Sequence, residues 1–127
     1  MAVLLIAASL AGCAAAAPET VSLDRASHGR TATVRLGGLI RLALPSNATT
    51  GYQWELATSG GAVLENTLHR YVPPNTDRVG AGGVEQWEFR ARQPGGATLR
   101  LEYRRPWESK SLDPAETFEV AVTVPAP

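Results

Sequence analysis

The stretch LALPSNATTGYQWEL, residues 42–56, contains two strand-like patterns that are separated by a polar loop. Apolar residues alternate with small or polar ones at 40–44 and again at 52–56, which is the period of a β-strand with one buried face. The connection runs through Asn47–Gly51, although two residues suffice for a tight hairpin. This loop is longer than chain reversal requires, so its threonines and its glycine need a separate explanation.

The period of two continues along the rest of the chain. Alternating apolar residues recur at 34–36, 87–91, 99–103 and 118–124, and clusters of glycine or proline separate these segments. None of the segments shows the 3.6-residue period of an amphipathic helix over a dozen positions. The pattern predicts an all-β fold, a β-sandwich of about seven to eight short antiparallel strands.

Length and composition limit the possible functions. With 127 residues, the chain forms one domain that can bury a core without metal ions or several disulfides. The formal net charge is zero, whereas nucleic-acid-binding proteins concentrate basic residues on one face. Two histidines and one cysteine provide little material for a metal site or a catalytic triad. We therefore expect no nucleic-acid partner, no cofactor, no metal and no enzymatic activity.

The N-terminal residues form a separate segment. Residues 1–12 contain an apolar run followed by small residues, the layout of a secretory signal peptide, and the run is too short to span a bilayer. Leu10–Cys13 is similar to a lipobox, in which the chain is cleaved before Cys13 and the cysteine thiol is acylated. No Lys or Arg precedes the apolar run, which departs from that pattern. The alternatives are a plain signal peptide that is cut elsewhere and a buried apolar strand.

The lipobox interpretation divides the chain into three parts. Residues 1–12 are the signal peptide, residues 13–20 are a tether, and residues 21–127 are the folded domain. It predicts an exported protein that the lipid on Cys13 attaches to the membrane, at the periplasmic or outer surface of a bacterial cell envelope. A single acyl chain binds a membrane weakly, and lipoproteins of this type carry several.

Two connecting loops combine residue types that suit contact with another molecule. Thr49 and Thr50 have stiff χ1 angles and precede Gly51, which adopts positive φ readily, so this loop can present two fixed hydroxyl and methyl groups. In the second loop, three glycines within Gly80–Gly83 leave the backbone uncovered, so that another main chain can approach closely. Taken alone, each loop is better explained as an ordinary turn.

The third loop carries a tryptophan beyond the end of a strand. Residues 99–103 alternate as a strand, and Pro106 cannot donate to a strand ladder, so the strand ends before it. Trp107 therefore lies in a polar segment, and exposed tryptophan and arginine dominate binding hot spots. The alternative is that this indole folds back and caps the end of the sandwich. Trp54 and Trp87 have inward parity and are expected in the core.

In their order and spacing, the three loops resemble the chagasin family of cysteine-peptidase inhibitors, which have an immunoglobulin-like β-sandwich. That family's pattern is an Asn-Pro-Thr-Thr-Gly-aromatic loop, a Gly-x-Gly-Gly loop and an Arg-Pro-Trp loop. The resemblance extends from about residue 21 to residue 124. The matching residues are Asn47, Ala48, Thr49, Thr50, Gly51, Tyr52, Gly80, Ala81, Gly82, Gly83, Arg105, Pro106 and Trp107.

The resemblance implies a competitive, reversible inhibitor of papain-like cysteine peptidases, a monomer whose loops enter the active-site cleft as a wedge. Thr49 and Thr50 would lie beside the catalytic thiol, Gly80–Gly83 would run along the substrate groove, and Trp107 would pack on the far wall. The alternative is a surface lipoprotein that binds a protein or glycan partner through the same loops. Ala48 replaces the family's usual proline, which implies weaker or more selective inhibition.

Overall fold

The computed structural model describes residues 18–127 and contains eight β-strands within them. Two 3₁₀ turns, at Arg25–Ser27 and Ala48–Thr50, are the helical elements of this range. The predicted all-β fold is confirmed. The strands are β1 (Thr20–Asp24), β2 (Thr31–Thr33), β3 (Leu39–Ser46), β4 (Gln53–Thr58), β5 (Leu64–Val72), β6 (Gly83–Ala91), β7 (Gly95–Arg104) and β8 (Glu116–Val124).

The strands form two four-stranded sheets, in the orders β1-β3-β6-β5 and β2-β8-β7-β4. Every second residue of β3, β6 and β8 is buried, as the alternating sequence predicts, and these residues meet between the sheets as an immunoglobulin-like sandwich. Trp54 and Trp87 belong to this core, which confirms their inward parity. The core side chains are Ala32, Val34, Ile40, Leu42, Leu44, Trp54, Leu64, Trp87, Phe89, Ala91, Leu99, Leu101, Phe118, Val120, Val122 and Val124.

The pairing of the first two strands differs from a wholly antiparallel arrangement. Four of the six strand pairings are antiparallel, but β1 pairs in parallel with β3, and β2 pairs in parallel with β8. The chain changes sheets between β1 and β2 and again before β3. Each of these edge strands therefore joins a strand that is not its hairpin partner, and no local sequence pattern reports such a pairing.

Two strand positions also differ from the alternating pattern. The strand expected at 34–36 lies earlier, at Thr31–Thr33; Val34 is buried, but Leu36 is exposed because the chain turns there through Gly37 with a φ of 80°. The pattern does not indicate β5, where residues 65–71 are all exposed. β5 is an edge strand of its sheet, and Leu64 is the only one of its residues that is buried, so the strand has no buried face to produce an alternating pattern.

The predicted signal peptide and the lipidated Cys13 lie outside the described residues, as does most of the tether, and they stay predictions. Among residues 18–127, no helix is long and apolar enough to cross a membrane. The same range contains no group of three or more His, Cys, Asp or Glu side chains that could hold a metal ion.

Candidate functional site

The strand registers bring the three predicted loops to one end of the sandwich. In the first sheet, Ser46 at the end of β3 pairs with Gly83 at the start of β6. In the second sheet, Gln53 at the start of β4 pairs with Arg104 at the end of β7. The loops 47–52, 79–83 and 105–107 all extend from these four positions, and together we call them the loop surface.

Loop 47–52 is stiffened by its own hydrogen bonds. Asn47 precedes the 3₁₀ turn as its N-cap, and its Oδ1 accepts from the backbone N–H of Thr49 at 3.1 Å and from the Thr49 hydroxyl at 2.6 Å. The Thr50 hydroxyl donates to the carbonyl of Asn47 at 2.7 Å. Gly51 ends the turn in the left-handed region, with a φ of 80°. Both hydroxyl protons are thus used inside the loop, so the exposed threonines offer methyl groups and acceptor lone pairs to a partner.

A side-chain hydrogen bond joins the first loop to the second. Asn47 Nδ2 donates to the carbonyl of Gly80 at 2.9 Å. The backbone N–H of Asn47 donates to the hydroxyl of Tyr103 at 2.9 Å, which also ties the loop to β7 in the other sheet. Asn47 therefore holds three parts of the fold together, which a sequence motif alone does not reveal.

The glycines of loop 79–83 have different roles. Gly80 has a φ of 79°, and no atom lies within 4 Å of a Cβ placed there. Glycine is therefore favoured at this position by the positive φ and not by lack of space. A Cβ on Gly83 would overlap the carbonyl of Val72 and the ring of Tyr71, so Gly83 allows β5 and β6 to approach. Gly82 is exposed and has room for a Cβ. The backbone around Gly80 and Gly82 is the part of this loop that another chain can reach.

Arg105 and Trp107, in the third loop, pack against the first loop and complete the loop surface. Arg105 Nε donates to the carbonyl of Thr50 at 3.2 Å, and the guanidinium lies 4.5 Å from the ring centre of Tyr52, which is cation–π geometry. The indole of Trp107 is 71% exposed and packs against Gly51. Trp107 is therefore not folded back into the core. Arg105 links the third loop to the first through its contacts with Thr50 and Tyr52.

Two contributors to this end of the sandwich were not predicted from the sequence. Val79 is fully exposed at 103% of its reference area, immediately before the glycines; a β-branched apolar residue beside a glycine run was the available signal. Tyr103 has inward parity, but its ring stacks on Trp54 at 5.0 Å and lies 5.3 Å from Tyr52 while its hydroxyl supports the first loop. This second role depends on tertiary contacts.

Several charged groups near the first and third loops are paired. On the neighbouring strand β7, a hydrogen bond from Arg104 holds the pKa of the Glu102 carboxyl below its ordinary value, and the positive charges of Arg104 and Arg100 act in the same direction. Arg105 is also within 3.5 Å of Glu108. The loop surface itself exposes the side chains of Val79 and Trp107 and the backbone around Gly80 and Gly82, which suits contact with another protein.

Comparison with known proteins gives a consistent result. Residues 33–122 match the model of the family described as chagasin family peptidase inhibitor I42. The chain is 36% identical to chagasin of Trypanosoma cruzi over 102 residues, which is 77% of this chain and 92% of chagasin. It is also similar to the solution structure of amebosin, with a TM-score of 0.68 and 33% identity over 85% of this chain and 99% of amebosin. The crystal structure of the cysteine protease inhibitor EhICP2 from Entamoeba histolytica superposes with a TM-score of 0.74 at 22% identity, over 84% of this chain and 96% of EhICP2.

Proposed function

Because this chain belongs to the chagasin family of peptidase inhibitors and inhibits papain-like cysteine peptidases, we propose that its loop surface is the part that enters the peptidase's active-site cleft. The mode is competitive and reversible. The observation that supports this proposal is the position of three separate motifs side by side at one end of a rigid sandwich, with Trp107 facing solvent.

Each loop has a part in the proposed complex. Thr49 and Thr50 form the tip and lie beside the catalytic thiol of the peptidase. The exposed backbone of Gly80–Gly83 runs main chain against main chain in the substrate groove. Trp107 packs on the far wall of the cleft, and Arg105 holds it next to the tip.

The rigidity of the loop surface favours binding. Loops that are already held by hydrogen bonds and by a sandwich lose little conformational entropy when they dock. Three short loops can cover the ~800 Å² per partner of a standard interface. An exposed indole that becomes buried in such an interface is a typical hot spot, whose truncation costs ~2 kcal/mol or more.

The test is a titration of papain with the folded domain and with Trp107→Ala. The wild-type domain inhibits papain stoichiometrically, and Trp107→Ala raises the inhibition constant about 30-fold, which corresponds to ~2 kcal/mol. Leu36→Ala is the matched control, because Leu36 is also an exposed apolar residue but precedes β3 at the opposite end of the sandwich. If the wild-type domain inhibits no papain-like peptidase but binds a glycan or another protein through Trp107, a surface binding module replaces the inhibitor.

We also propose that the protein is exported, that lipidated Cys13 anchors it to the cell envelope, and that it acts as a monomer. The lipobox-like sequence of Leu10–Cys13 supports the export and the lipid anchor. In a bacterial host, the chain partitions with the membrane fraction and incorporates labelled fatty acid, whereas Cys13→Ser does neither. Equal membrane partitioning of the two proteins would exclude the lipid anchor, and a concentration-dependent change in sedimentation of the domain would exclude the monomer.

A further inference from the structure

A buried carboxylate lies between the two sheets, directly below the loop surface. Glu85 on β6 is only 3% exposed. Its Oε2 accepts the backbone N–H of Trp54 at 2.9 Å. Trp54 is on β4, which belongs to the other sheet, so this hydrogen bond crosses from one layer of the sandwich to the other.

The second carboxylate oxygen is held by a histidine on a third strand. His69 on β5 places its Nε2 2.7 Å from Glu85 Oε1. In the tautomer with the proton on Nε2, His69 donates this hydrogen bond to the carboxylate. The imidazole ring stacks on Trp87, with 3.6 Å between ring centres and 12° between the ring planes. The orientation of Glu85 is therefore fixed by strands on both sides.

The hydrogen bond between Glu85 and Trp54 joins the bases of two loops. Glu85 follows the last glycine of loop 79–83 by two residues, and Trp54 follows the end of loop 47–52 by two residues. The indole Nε1 of Trp54 also donates to the carbonyl of Pro45, just before loop 47–52, at 2.9 Å. The first loop is thereby held on both of its sides by one tryptophan, and that tryptophan is held by Glu85.

A carboxylate is not the simplest way to stabilise this position. Burying a charge is costly even when it is hydrogen-bonded, and replacing a whole buried polar pair with apolar side chains of similar volume is often neutral or stabilising. Apolar contacts between sheets are non-directional, whereas a hydrogen bond fixes a distance and an angle. Two other hydrogen bonds cross between the sheets here, from Trp54 Nε1 to the carbonyl of Pro45 and from the Asn47 N–H to the Tyr103 hydroxyl. Of the three, only the bond to Glu85 reaches β6, so Glu85 adds a directional constraint between β4 and β6 that apolar packing does not supply.

We propose that Glu85 is a positioning residue of the loop surface, and that it sets the spacing between loops 47–52 and 79–83 through the Trp54 backbone. His69 holds the carboxylate in the required orientation. This inference rests on the proposed function, because the spacing matters only if both loops enter one cleft.

The test compares Glu85→Leu and Glu85→Gln with the wild-type domain. Leucine fills the space but accepts no hydrogen bond, whereas glutamine retains an acceptor for the Trp54 N–H. We expect Glu85→Leu to raise the inhibition constant for papain at least about tenfold, the loss typical of a disturbed hot spot. The variant also lowers the free energy of unfolding, because the buried Trp54 N–H loses its acceptor. Glu85→Gln restores most of the affinity. Glu88→Gln, on the outer face of the same strand, is the control and leaves inhibition unchanged.

Hydrogen exchange in the free domain separates this inference from the proposed function. The amides of Trp54 and of both loops exchange faster in Glu85→Leu than in the wild type, whether or not any peptidase is inhibited. Folded Glu85→Leu with wild-type inhibition and wild-type exchange would overturn the inference. If Glu85→Leu does not fold, His69→Phe takes its place, because phenylalanine keeps the stacking on Trp87 and removes the hydrogen bond to Glu85. Unchanged inhibition and unchanged exchange in His69→Phe would equally overturn the inference.

Discussion

The indole of Trp107 packs against Gly51 so closely that a Cβ atom at residue 51 would overlap Cη2 of the ring. Gly51 thus has two roles: its φ of 80° ends the 3₁₀ turn, and its missing side chain makes room for the exposed indole. The first and third loops are adjacent because of this contact, together with the hydrogen bond from Arg105 to Thr50.

Gly51→Ala should displace the indole and weaken inhibition of papain about tenfold or more, as expected for the disturbance of a hot-spot tryptophan. It should also lower the free energy of unfolding by ~1 kcal/mol, because alanine is strained at positive φ. Gly37→Ala separates the two effects, since Gly37 has the same φ of 80° with no atom within 4 Å of a Cβ. That control should lose similar stability and keep full inhibition. Equal inhibition by both variants would contradict the role of the Gly51–Trp107 contact.

Asn47→Asp should weaken inhibition several-fold with little change in stability. Aspartate still accepts the Thr49 N–H as an N-cap, but it lacks the donor that binds the carbonyl of Gly80. Asn47→Ala removes both interactions and should in addition lower the free energy of unfolding by ~1 kcal/mol. Inhibition constants and urea denaturation of the two variants test this. Wild-type inhibition by Asn47→Asp would show that the link between the first two loops is dispensable.

Ala48→Pro should raise the free energy of unfolding by ~0.4–1 kcal/mol, because it restricts the unfolded chain, and should tighten inhibition. Ala48 is the first residue of the 3₁₀ turn, and Asn47 before it is extended, with φ −114° and ψ 99°; both features suit a proline at residue 48. Ala81→Pro is the contrasting variant, because it removes the hydrogen bond from the Ala81 N–H to the carbonyl of Arg78 and should destabilise. A gain in neither stability nor affinity for Ala48→Pro would refute the expected effect of this departure from the family's pattern.

Glu102→Gln should lower the free energy of unfolding by ~0.5–1 kcal/mol at pH 7, the size of a favourable surface ion pair. The folded-state pKa of Glu102 lies below its ordinary value of 4.5, chiefly because of the hydrogen bond from Arg104. Its stabilisation is therefore fully present above pH 4.5 and is lost as the pH falls through the lowered pKa. Denaturation of both proteins across this range should show their difference disappearing in acid. A difference in the free energy of unfolding that persists unchanged at low pH would contradict the stabilising role of the ionised Glu102 carboxylate.

Sequence periodicity identifies the strands that bury one face. The alternation in β3, β6 and β8 is visible in the sequence because every second side chain enters the core. The edge strand β5 has no such pattern, because residues 65–71 are all exposed. The parallel pairings of β1 and β2 are likewise not visible, since pairing depends on where a distant strand lies.

The sequence by itself determined the alternating strands, the three loop motifs and the position of Trp107 beyond the end of a strand, because side-chain alternation and a proline that ends a strand are local properties. That the indole of Trp107 faces solvent was decided by the tertiary structure. Only the tertiary structure decided how the loops are held together, through the hydrogen bonds of Asn47 with Gly80, of Arg105 with Thr50 and of Glu85 with Trp54. Each of these hydrogen bonds joins residues more than 30 positions apart. The register of the strands brings such groups within bonding distance, and no short stretch of sequence encodes that register.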